Sequence, residues 1–414
     1  MHFQQYTPKK SWHKTVLRLI RLYHEISGGA DIMWKRCFAG LLAAALMLVC
    51  LPAAAAAGPD VAAPSAILID AATGTVLYEK NANERLRPAS VTKVMTLLLV
   101  MEALDSGRIG WDDMVITSDA AAAKGGSQVY LEPGEQMSMD EMLKSVVVSS
   151  ANDCATALAE HVSGSEQAFV ERMNQRAAEL GLTDTHFVNC TGLDDGAEAA
   201  EHLTTAHDIA VMSRELLKHK EIKKYTTIWM DTVRGGKFGL ANTNKLVRFY
   251  DGTTGLKTGY TSAAGHCLSA SAERDGIELI AVVMHCKSSP DRFESAKALL
   301  NYGFANYALV SADTPEPLQP IRVRLGRTAT LQPVLRESAP ILIEKGMQAG
   351  ITKTVTLEPE VSAPVQAGQE LGKMTITSGD QVLAEIPIIA PEAVEKLTWW
   401  ELTARLLRRI CMGE

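Results

Sequence analysis

The stretch on which the fold depends is Arg87-Pro88-Ala89-Ser90-Val91-Thr92-Lys93-Val94-Met95-Thr96, which is followed by the apolar run Leu97 to Val100. Proline is favoured in the first turn of a helix, because its missing N–H needs no partner there. The apolar residues after Lys93 give such a helix a buried body. We therefore predict a core helix that begins near the proline, with Ser90 in its first turn.

Ser90 and Lys93 are three residues apart, which places both side chains on one face of a helix. A lysine kept neutral by burial or by a neighbouring cation can take the proton from a serine that is otherwise a poor nucleophile. A helix N-terminus also offers N–H groups to a developing negative charge. The spacing alone is not specific, because Ser11-Trp12-His13-Lys14 repeats it without a catalytic setting.

A second polar phrase, Ser150-Ala151-Asn152, is predicted to lie on a tight loop between two helices. Ser138 and Glu141 form a capping box ahead of the first helix. Asn152 or Asp153 is expected to cap the second helix.

The third phrase, Lys257-Thr258-Gly259-Tyr260, is predicted to lie on a strand that precedes a β-hairpin. The predicted hairpins pair residues 65–70 with 75–78 and residues 267–272 with 277–285. The predicted helices cover residues 166–182, 205–219 and 295–304. An antiparallel sheet flanked by helices makes an α+β domain, which we assign to residues 58–310.

The pattern changes after Val310. Prolines mark a linker, and short alternating apolar runs predict a small all-β domain over residues 311–390, a spacer or partner platform without a catalytic cluster. Residues 391–414 are predicted to form an amphipathic helix. On a helical wheel its apolar residues fall within roughly 160°; they are Trp399, Trp400, Leu402, Leu406, Leu407 and Ile410. Glu401, Arg405, Arg408 and Arg409 fall on the other side. The helix suits an anionic membrane surface, and docking on the β domain is the alternative.

The N-terminal region resembles a secretory signal. No charged residue occurs from Cys37 to Ala57, Lys35 and Arg36 precede this run, and alanines end it. We therefore predict a signal peptide over residues 33–57 and treat residues 1–32 as a non-native upstream extension. A retained membrane helix and a lipoprotein anchored at Cys50 are the alternatives.

Composition limits the partners. The chain has 414 residues and a net charge of −7, with seven Lys/Arg and two Asp/Glu in its first 57 residues, so the remainder is more acidic still. An acidic chain argues against nucleic acid as a partner. The cysteines after residue 57 are odd in number and form no CxxC pair, so we predict small buried thiols, with neither a disulfide framework nor a metal site, and no cofactor.

The three phrases occur in the order found in penicillin-binding proteins and class A β-lactamases. The chain resembles most the D-alanyl-D-alanine carboxypeptidases among the low-molecular-mass penicillin-binding proteins, which have a β-lactamase/transpeptidase-like fold. Further phrases carry the resemblance, which runs from about Ala62 to Asn306: Leu131-Glu-Pro-Gly-Glu, Ser150-Ala-Asn-Asp, Thr191-Gly-Leu-Asp, Thr204-Thr-Ala-His-Asp and Asp291-Arg292-Phe-Glu-Ser-Ala-Lys.

The resemblance implies a secreted serine carboxypeptidase at the outer face of the cytoplasmic membrane. It would remove the terminal D-alanine from peptidoglycan stem peptides through an acyl-enzyme, with β-lactam antibiotics as inhibitors. The implied catalytic residues are Ser90 as nucleophile, Lys93 as base and Ser150 as proton relay. The implied substrate-binding residues are Asn152 for a substrate amide, Lys257, Thr258, Gly259, Tyr260 for the oxyanion, and Arg292 for the terminal carboxylate.

Two alternatives stay open at this point. A β-lactamase shares the three phrases, but no Glu-x-x-Leu-Asn motif occurs between Asn152 and Lys257. A non-catalytic peptidoglycan-binding homologue would keep the pocket without turnover. Some members of the family carry His where this chain has Thr191 and Tyr260, so the partner of the deacylating water stays unassigned.

Overall fold

The computed structural model describes residues 58–412, so the predicted extension 1–32 and signal peptide 33–57 lie outside the described part. The helices are α1 (Lys93–Asp105), α2 (Asp119–Ala122), α3 (Met139–Val148), α4 (Asn152–Ser163), α5 (Glu166–Glu179), α6 (Ala206–Lys218), α7 (Lys223–Thr226), α8 (Leu246–Phe249), α9 (Ser289–Asn306) and α10 (Trp399–Met412). The strands are β1 (Ser65–Asp70), β2 (Val76–Lys80), β3 (Met114–Ile116), β4 (Gln136–Ser138), β5 (Met230–Val233), β6 (Phe238–Ala241), β7 (Thr253–Thr261), β8 (Gly265–Arg274), β9 (Ile277–Cys286), β10 (Tyr307–Val310), β11 (Ile321–Arg324), β12 (Thr330–Leu331), β13 (Val334–Leu335), β14 (Ile341–Glu344), β15 (Ile351–Leu357), β16 (Glu360–Ser362), β17 (Glu370–Ser378) and β18 (Gln381–Ile389).

A five-stranded antiparallel sheet organises the first domain, in the order β2-β1-β9-β8-β7. Alternate residues of its strands point to opposite faces. Ile67, Ile280 and Val282 join the core that contains α1 and α6, whereas Leu68 and Leu279 pack with α9. The predicted α+β class is confirmed, and β7, which carries Lys257 to Tyr260, forms the free edge of this sheet.

Helix α1 is the central helix of the larger core. All of its thirteen residues except Glu102 and Asp105 are buried. A helix that is apolar on all sides is stable only when it is enclosed, and α6 and α4 both pack against α1. The helix therefore gives its first residue, Lys93, a rigid and dry position.

Local caps explain several helix starts. The Oγ of Ser138 accepts the Glu141 N–H at 3.3 Å and begins α3, as the capping box predicted. Helix α9 begins at Ser289, six residues before the predicted start, because Ser288 caps it and Pro290 lies in its first turn.

The second domain consists of short sheets, which confirms its all-β prediction. The main ones are the three-stranded β12-β11-β16 and the four-stranded β13-β18-β17-β15. Two small apolar cores fill it, one around Val323 and Val365 and the other around Met374 and Ile388.

Helix α10 follows this domain, and its apolar side is exposed. Trp399 and Trp400 are 83% and 85% exposed, and Leu406, Leu407 and Ile410 are exposed as well. Its polar side contacts the β domain, because the Arg327 Nε lies 3.2 Å from Glu401 and the Arg405 Nη1 donates to the Gly326 carbonyl at 3.3 Å. Within residues 58–412, no helix is both long enough and apolar enough to cross a membrane.

The prediction of buried thiols holds for four cysteines and is wrong for one. Cys154, Cys190, Cys267 and Cys286 are free and buried. Cys411 is exposed, because it lies on the part of α10 that contacts no core.

Candidate active site

Ser90 lies in a 3₁₀ turn, Ala89–Thr92, that leads into α1. Ser90 was predicted to lie in the first turn of the α-helix. It lies instead in the 3₁₀ turn directly before that helix, which begins at Lys93. Ala89 has a φ of 49°, a left-handed conformation that separates Pro88 from the helix. Residues three apart eclipse one another in a 3₁₀ turn, and the Lys93 Nζ lies 3.0 Å from the Ser90 Oγ.

Three segments of the chain meet at the Lys93 amine, which is fully buried. Besides Ser90, the Nζ bonds the Asn152 Oδ1 at 2.6 Å and the Thr191 carbonyl at 2.8 Å. Burial lowers the pKa of Lys93 to about 7, and the negative charge of Asp153 opposes the shift. The amine is therefore neutral in an appreciable fraction of molecules near neutral pH.

Of the two causes considered for a neutral Lys93, burial and a neighbouring cation, burial is the main one. Lys257 is itself buried, and desolvation lowers its pKa well below the usual value, followed by repulsion from Lys93 and Arg292. Two amines that share one buried region favour fewer than two charges there.

The Ser150-Ala151-Asn152 loop joins α3 to α4, as predicted. The prediction that Asn152 or Asp153 caps α4 is wrong. Asn152 is the first residue of α4, and Ala151 occupies the N-cap without a side-chain bond. The buried Asp153 carboxylate instead accepts the N–H groups of Val129 and Leu131 at 3.1 Å. These long-range hydrogen bonds attach the loop at Val129 and Leu131 to the start of α4.

Ser150 is buried and has a φ of 63°. Among the described residues, its hydroxyl makes no hydrogen bond, so it is not one of the three contacts of Lys93. The Asn152 Nδ2 donates to the Gly125 carbonyl at 2.7 Å. Asn152 therefore joins the Lys93 amine to the loop at Gly125, a contact that sequence reasoning did not foresee.

The edge strand β7 lies directly against the Ser90 turn. A Cβ on Gly259 would come within 2.6 Å of the Pro88 carbonyl oxygen and 3.1 Å of the Ser90 nitrogen, so only glycine fits. Thr258 donates to the Thr243 Oγ1 at 2.7 Å, and the Lys257 Nζ donates to the Thr258 carbonyl at 2.9 Å. The structure thus places Gly259 against the Ser90 turn, with Lys257 and Thr258 next to it on β7.

Tyr260 and Arg292 complete the predicted set. Tyr260 is 58% exposed, and its ring stacks on His266 with centroids 4.3 Å apart. The Arg292 Nη1 donates to the Gly259 carbonyl at 3.0 Å, while the buried Nε has no partner among the described residues. Arg292 therefore holds β7 through the Gly259 carbonyl, and its Nε–H remains available as a donor.

Several residues of the site were missed in the sequence. The Thr191 carbonyl and the Asp153 carboxylate lie within phrases already quoted, so those phrases were the available signal. His202 bonds the Oγ1 of Thr92 across 110 residues, and no local pattern indicates that contact. No group of three or more His, Cys, Asp or Glu able to hold a metal occurs within residues 58–412.

Two family models and several known proteins match this chain. The family model described as D-alanyl-D-alanine carboxypeptidase (Peptidase_S11) matches residues 52–288, and the one described as penicillin-binding protein 5, C-terminal domain, matches residues 304–396. The D-alanyl-D-alanine carboxypeptidase DacF of Bacillus subtilis is 43% identical over 339 residues, which are 81% of this chain and 86% of the relative.

Solved structures share the fold. Penicillin-binding protein 5 from Haemophilus influenzae superposes with a TM-score of 0.70 at 30% identity, over 82% of this chain and 99% of that one. Penicillin-binding protein D2 from Listeria monocytogenes in the ampicillin-bound form has a TM-score of 0.54 at 30% identity, over 59% of this chain and 98% of that one.

Proposed function

The chain belongs to the D-alanyl-D-alanine carboxypeptidase family of low-molecular-mass penicillin-binding proteins and is a serine-type hydrolase of that class. On that premise we propose that Ser90 is the acylated nucleophile and Lys93 its general base. In the acylation step the Ser90 Oγ attacks the carbonyl of the penultimate D-alanine and its proton passes to Lys93. The peptide bond then breaks and the terminal D-alanine leaves.

The contacts of Lys93 are the observation that carries this proposal. A neutral amine has two N–H bonds and one lone pair, and Lys93 has three polar neighbours. Two of them, the Asn152 Oδ1 and the Thr191 carbonyl, can only accept. Both N–H bonds are therefore taken, and the lone pair is left for the Ser90 hydroxyl, which is the arrangement a general base needs.

The oxyanion of the tetrahedral intermediate is proposed to bind the backbone N–H groups of Ser90 and Tyr260. Gly259 lets β7 approach the Ser90 turn closely, with the Ser90 nitrogen only 3.1 Å from where its Cβ would be. Donors fixed in position before the reaction stabilise the developing charge at no cost of reorganisation.

The terminal carboxylate of the substrate is proposed to bind near Thr258, Lys257 and Arg292. The Lys257 and Arg292 side chains are buried, and desolvation, followed by repulsion from Lys93 and Arg292, lowers the pKa of Lys257. An anion between them relieves that repulsion, so this end of the site favours a free carboxylate. A substrate strand can also add to the free edge of β7, with Asn152 holding a substrate amide.

Ser150 is proposed to relay the proton from Lys93 to the leaving amine. Its hydroxyl makes no hydrogen bond within the described residues, and its backbone is left-handed, with a φ of 63°, just before Asn152 begins α4. Strained backbone of this kind is found at functional sites. We propose peptidoglycan stem peptides as substrates and β-lactams as acylating inhibitors, as the ampicillin-bound Listeria relative suggests.

Helix α10 is proposed to hold the enzyme on an anionic membrane surface. Its tryptophans and leucines are exposed, and its polar side is the one attached to the β domain. This orientation argues against apolar docking on that domain. Exposed Arg408 is available to phosphates, and tryptophan suits the headgroup level. With secretion through residues 33–57, the enzyme would act at the outer face of the cytoplasmic membrane.

We expect Ser90→Ala to abolish covalent labelling by fluorescent penicillin and release of D-alanine from a D-Ala-D-Ala peptide. Lys93→Ala should slow acylation by several orders of magnitude, because the serine loses its base. Ser149→Ala, next to the Ser150 loop but outside the proposed machinery, is the matched control and should label normally. Normal labelling of Ser90→Ala would show that the nucleophile lies elsewhere.

The acylation rate should rise with pH up to about 7 and then level off, because Lys93 must be neutral to take the proton and its pKa is about 7. Below that pKa the rate should fall about tenfold per pH unit. The measurement is the pseudo-first-order rate of penicillin labelling, with circular dichroism to show that the fold persists. A flat rate from about pH 5 to about pH 7 would contradict a lysine base.

Amidation of the substrate's C-terminus should lower kcat/KM at least about tenfold, since a charge-assisted hydrogen bond contributes roughly 1.5–3 kcal/mol. The measurement compares the free acid and the amide of one D-Ala-D-Ala peptide on the wild type and on Thr258→Val. The variant should discriminate less between them. Equal rates on the wild type would rule out the carboxylate site.

Deletion of residues 392–414 should move the secreted enzyme from the membrane fraction to the soluble fraction, because the exposed apolar side of α10 is lost. Replacing Trp399 and Trp400 by alanine should have a smaller effect in the same direction. Trp111→Ala, a half-exposed tryptophan of the first domain, is the control. If the truncated enzyme stays fully on the membrane, the anchor lies elsewhere, first of all in an uncleaved segment from Cys37 to Ala57.

A further inference from the structure

A buried histidine lies between the nucleophile turn and the loop that precedes α6. His202 is 3% exposed and packs edge-on against Phe187, with ring centroids 5.6 Å apart. Its Nδ1 is 3.2 Å from the Val188 nitrogen, and its Nε2 is 2.8 Å from the Thr92 Oγ1. His202 lies outside the three phrases that carry the proposed chemistry, and Thr92, between Ser90 and Lys93, has no role assigned so far.

These contacts determine the direction of each hydrogen bond. The Val188 N–H can only donate, so the Nδ1 of His202 is an acceptor, and in a neutral ring the hydrogen is then on Nε2. Burial lowers the pKa of His202 to about 4, which keeps the ring neutral in the working range. The Nε2 therefore donates to the Thr92 Oγ1, and the Thr92 hydroxyl donates to the Ala89 carbonyl at 2.8 Å.

The Ala89 carbonyl belongs to the same peptide unit as the Ser90 N–H. This peptide bond is trans, because the two cis bonds of the described residues lie elsewhere in the chain. Its C=O and N–H therefore lie in one plane and point in opposite directions. Fixing the Ala89 oxygen therefore fixes the direction of the Ser90 N–H.

The peptide unit needs such support. Ala89 is a buried non-glycine residue at a φ of 49°, a conformation that persists only where the surroundings enforce it. Gly192 closes over the same carbonyl, because a Cβ at that position would lie only 1.8 Å from the Ala89 oxygen. The Ala89 oxygen is thus in contact with both the Thr92 hydroxyl and Gly192.

We propose that His202 is a positioning residue for catalysis: through Thr92 and the Ala89 carbonyl it directs the Ser90 N–H at the oxyanion. This inference rests on the proposed role of Ser90. The charge on that oxygen is largest in the transition state, so a misdirected N–H weakens transition-state binding and leaves substrate binding nearly unchanged.

The test uses His202→Phe, which keeps the ring volume and removes both hydrogen bonds, and Thr92→Val, which removes the link in an isosteric side chain. Each should lower kcat for D-alanine release and the rate constant of penicillin acylation at least about tenfold, with KM changed less than about twofold. The double variant should be no slower than the slower single variant, because both changes break one chain of bonds. His202→Gln, whose amide nitrogen can replace the Nε2 donor, should recover most of the rate.

His186→Phe is the matched control, because His186 is an exposed histidine in the same loop, and it should leave kcat unchanged. Final penicillin stoichiometry and thermal unfolding separate slow chemistry from unfolded protein. If His202→Phe and Thr92→Val lower the unfolding temperature but acylate at the wild-type rate, or if their effects on kcat simply add, the proposal is wrong. Labelling of Ser90→Ala, in contrast, would overturn the role of Ser90 itself.

Discussion

The burial of the Lys93 amine is the interaction on which the rest of the site depends. An isolated ammonium in such a place carries a large desolvation penalty, so the group is held there by polar partners and by loss of its charge. Its partners come from the nucleophile turn, the loop after α3 and the loop at Thr191. Because one amine joins these three segments, the contacts that hold the segments together are also the contacts that position the proposed base.

Close approach of backbones is the second constraint. The Ser90 turn has β7 on one side and the Thr191 loop on the other, and each contributes a glycine at the point of contact, Gly259 and Gly192. A methyl group at either position would overlap backbone atoms, which cannot move as the end of a flexible side chain can. The glycines thus allow β7 and the Thr191 loop to approach the Ser90 turn closely, which the proposed oxyanion site requires.

The parts of the fold that follow local rules could be predicted from the sequence. The Ser138 cap of α3, the antiparallel hairpins and the strand with Lys257 all depend on neighbouring residues. The failures have long-range causes: Asp153 does not cap α4, because Val129 and Leu131 claim its carboxylate. Lys93 shows the same limit, since its pKa is lowered by burial, which depends on the whole core, while the nearby Cys190 and Asp153 oppose the shift.

The attachment of α10 shows why a pattern of apolar residues does not by itself say what covers them. In a helix that docks on a globular domain, the apolar stripe faces the domain and the charges face water. In α10 the charged Glu401 and Arg405 contact the β domain, while Trp399 and Trp400 point away from it. Holding two tryptophans and three aliphatic side chains in water is unfavourable, by roughly 25 cal/mol for each Å² of apolar surface left exposed. The ion pair and the hydrogen bond that hold α10 on its polar side are worth little in water, so they set its direction rather than compensate for that exposure. An apolar phase beyond the helix would supply the missing stabilisation, and the arginines of α10 in an otherwise acidic chain favour an anionic lipid surface over another protein.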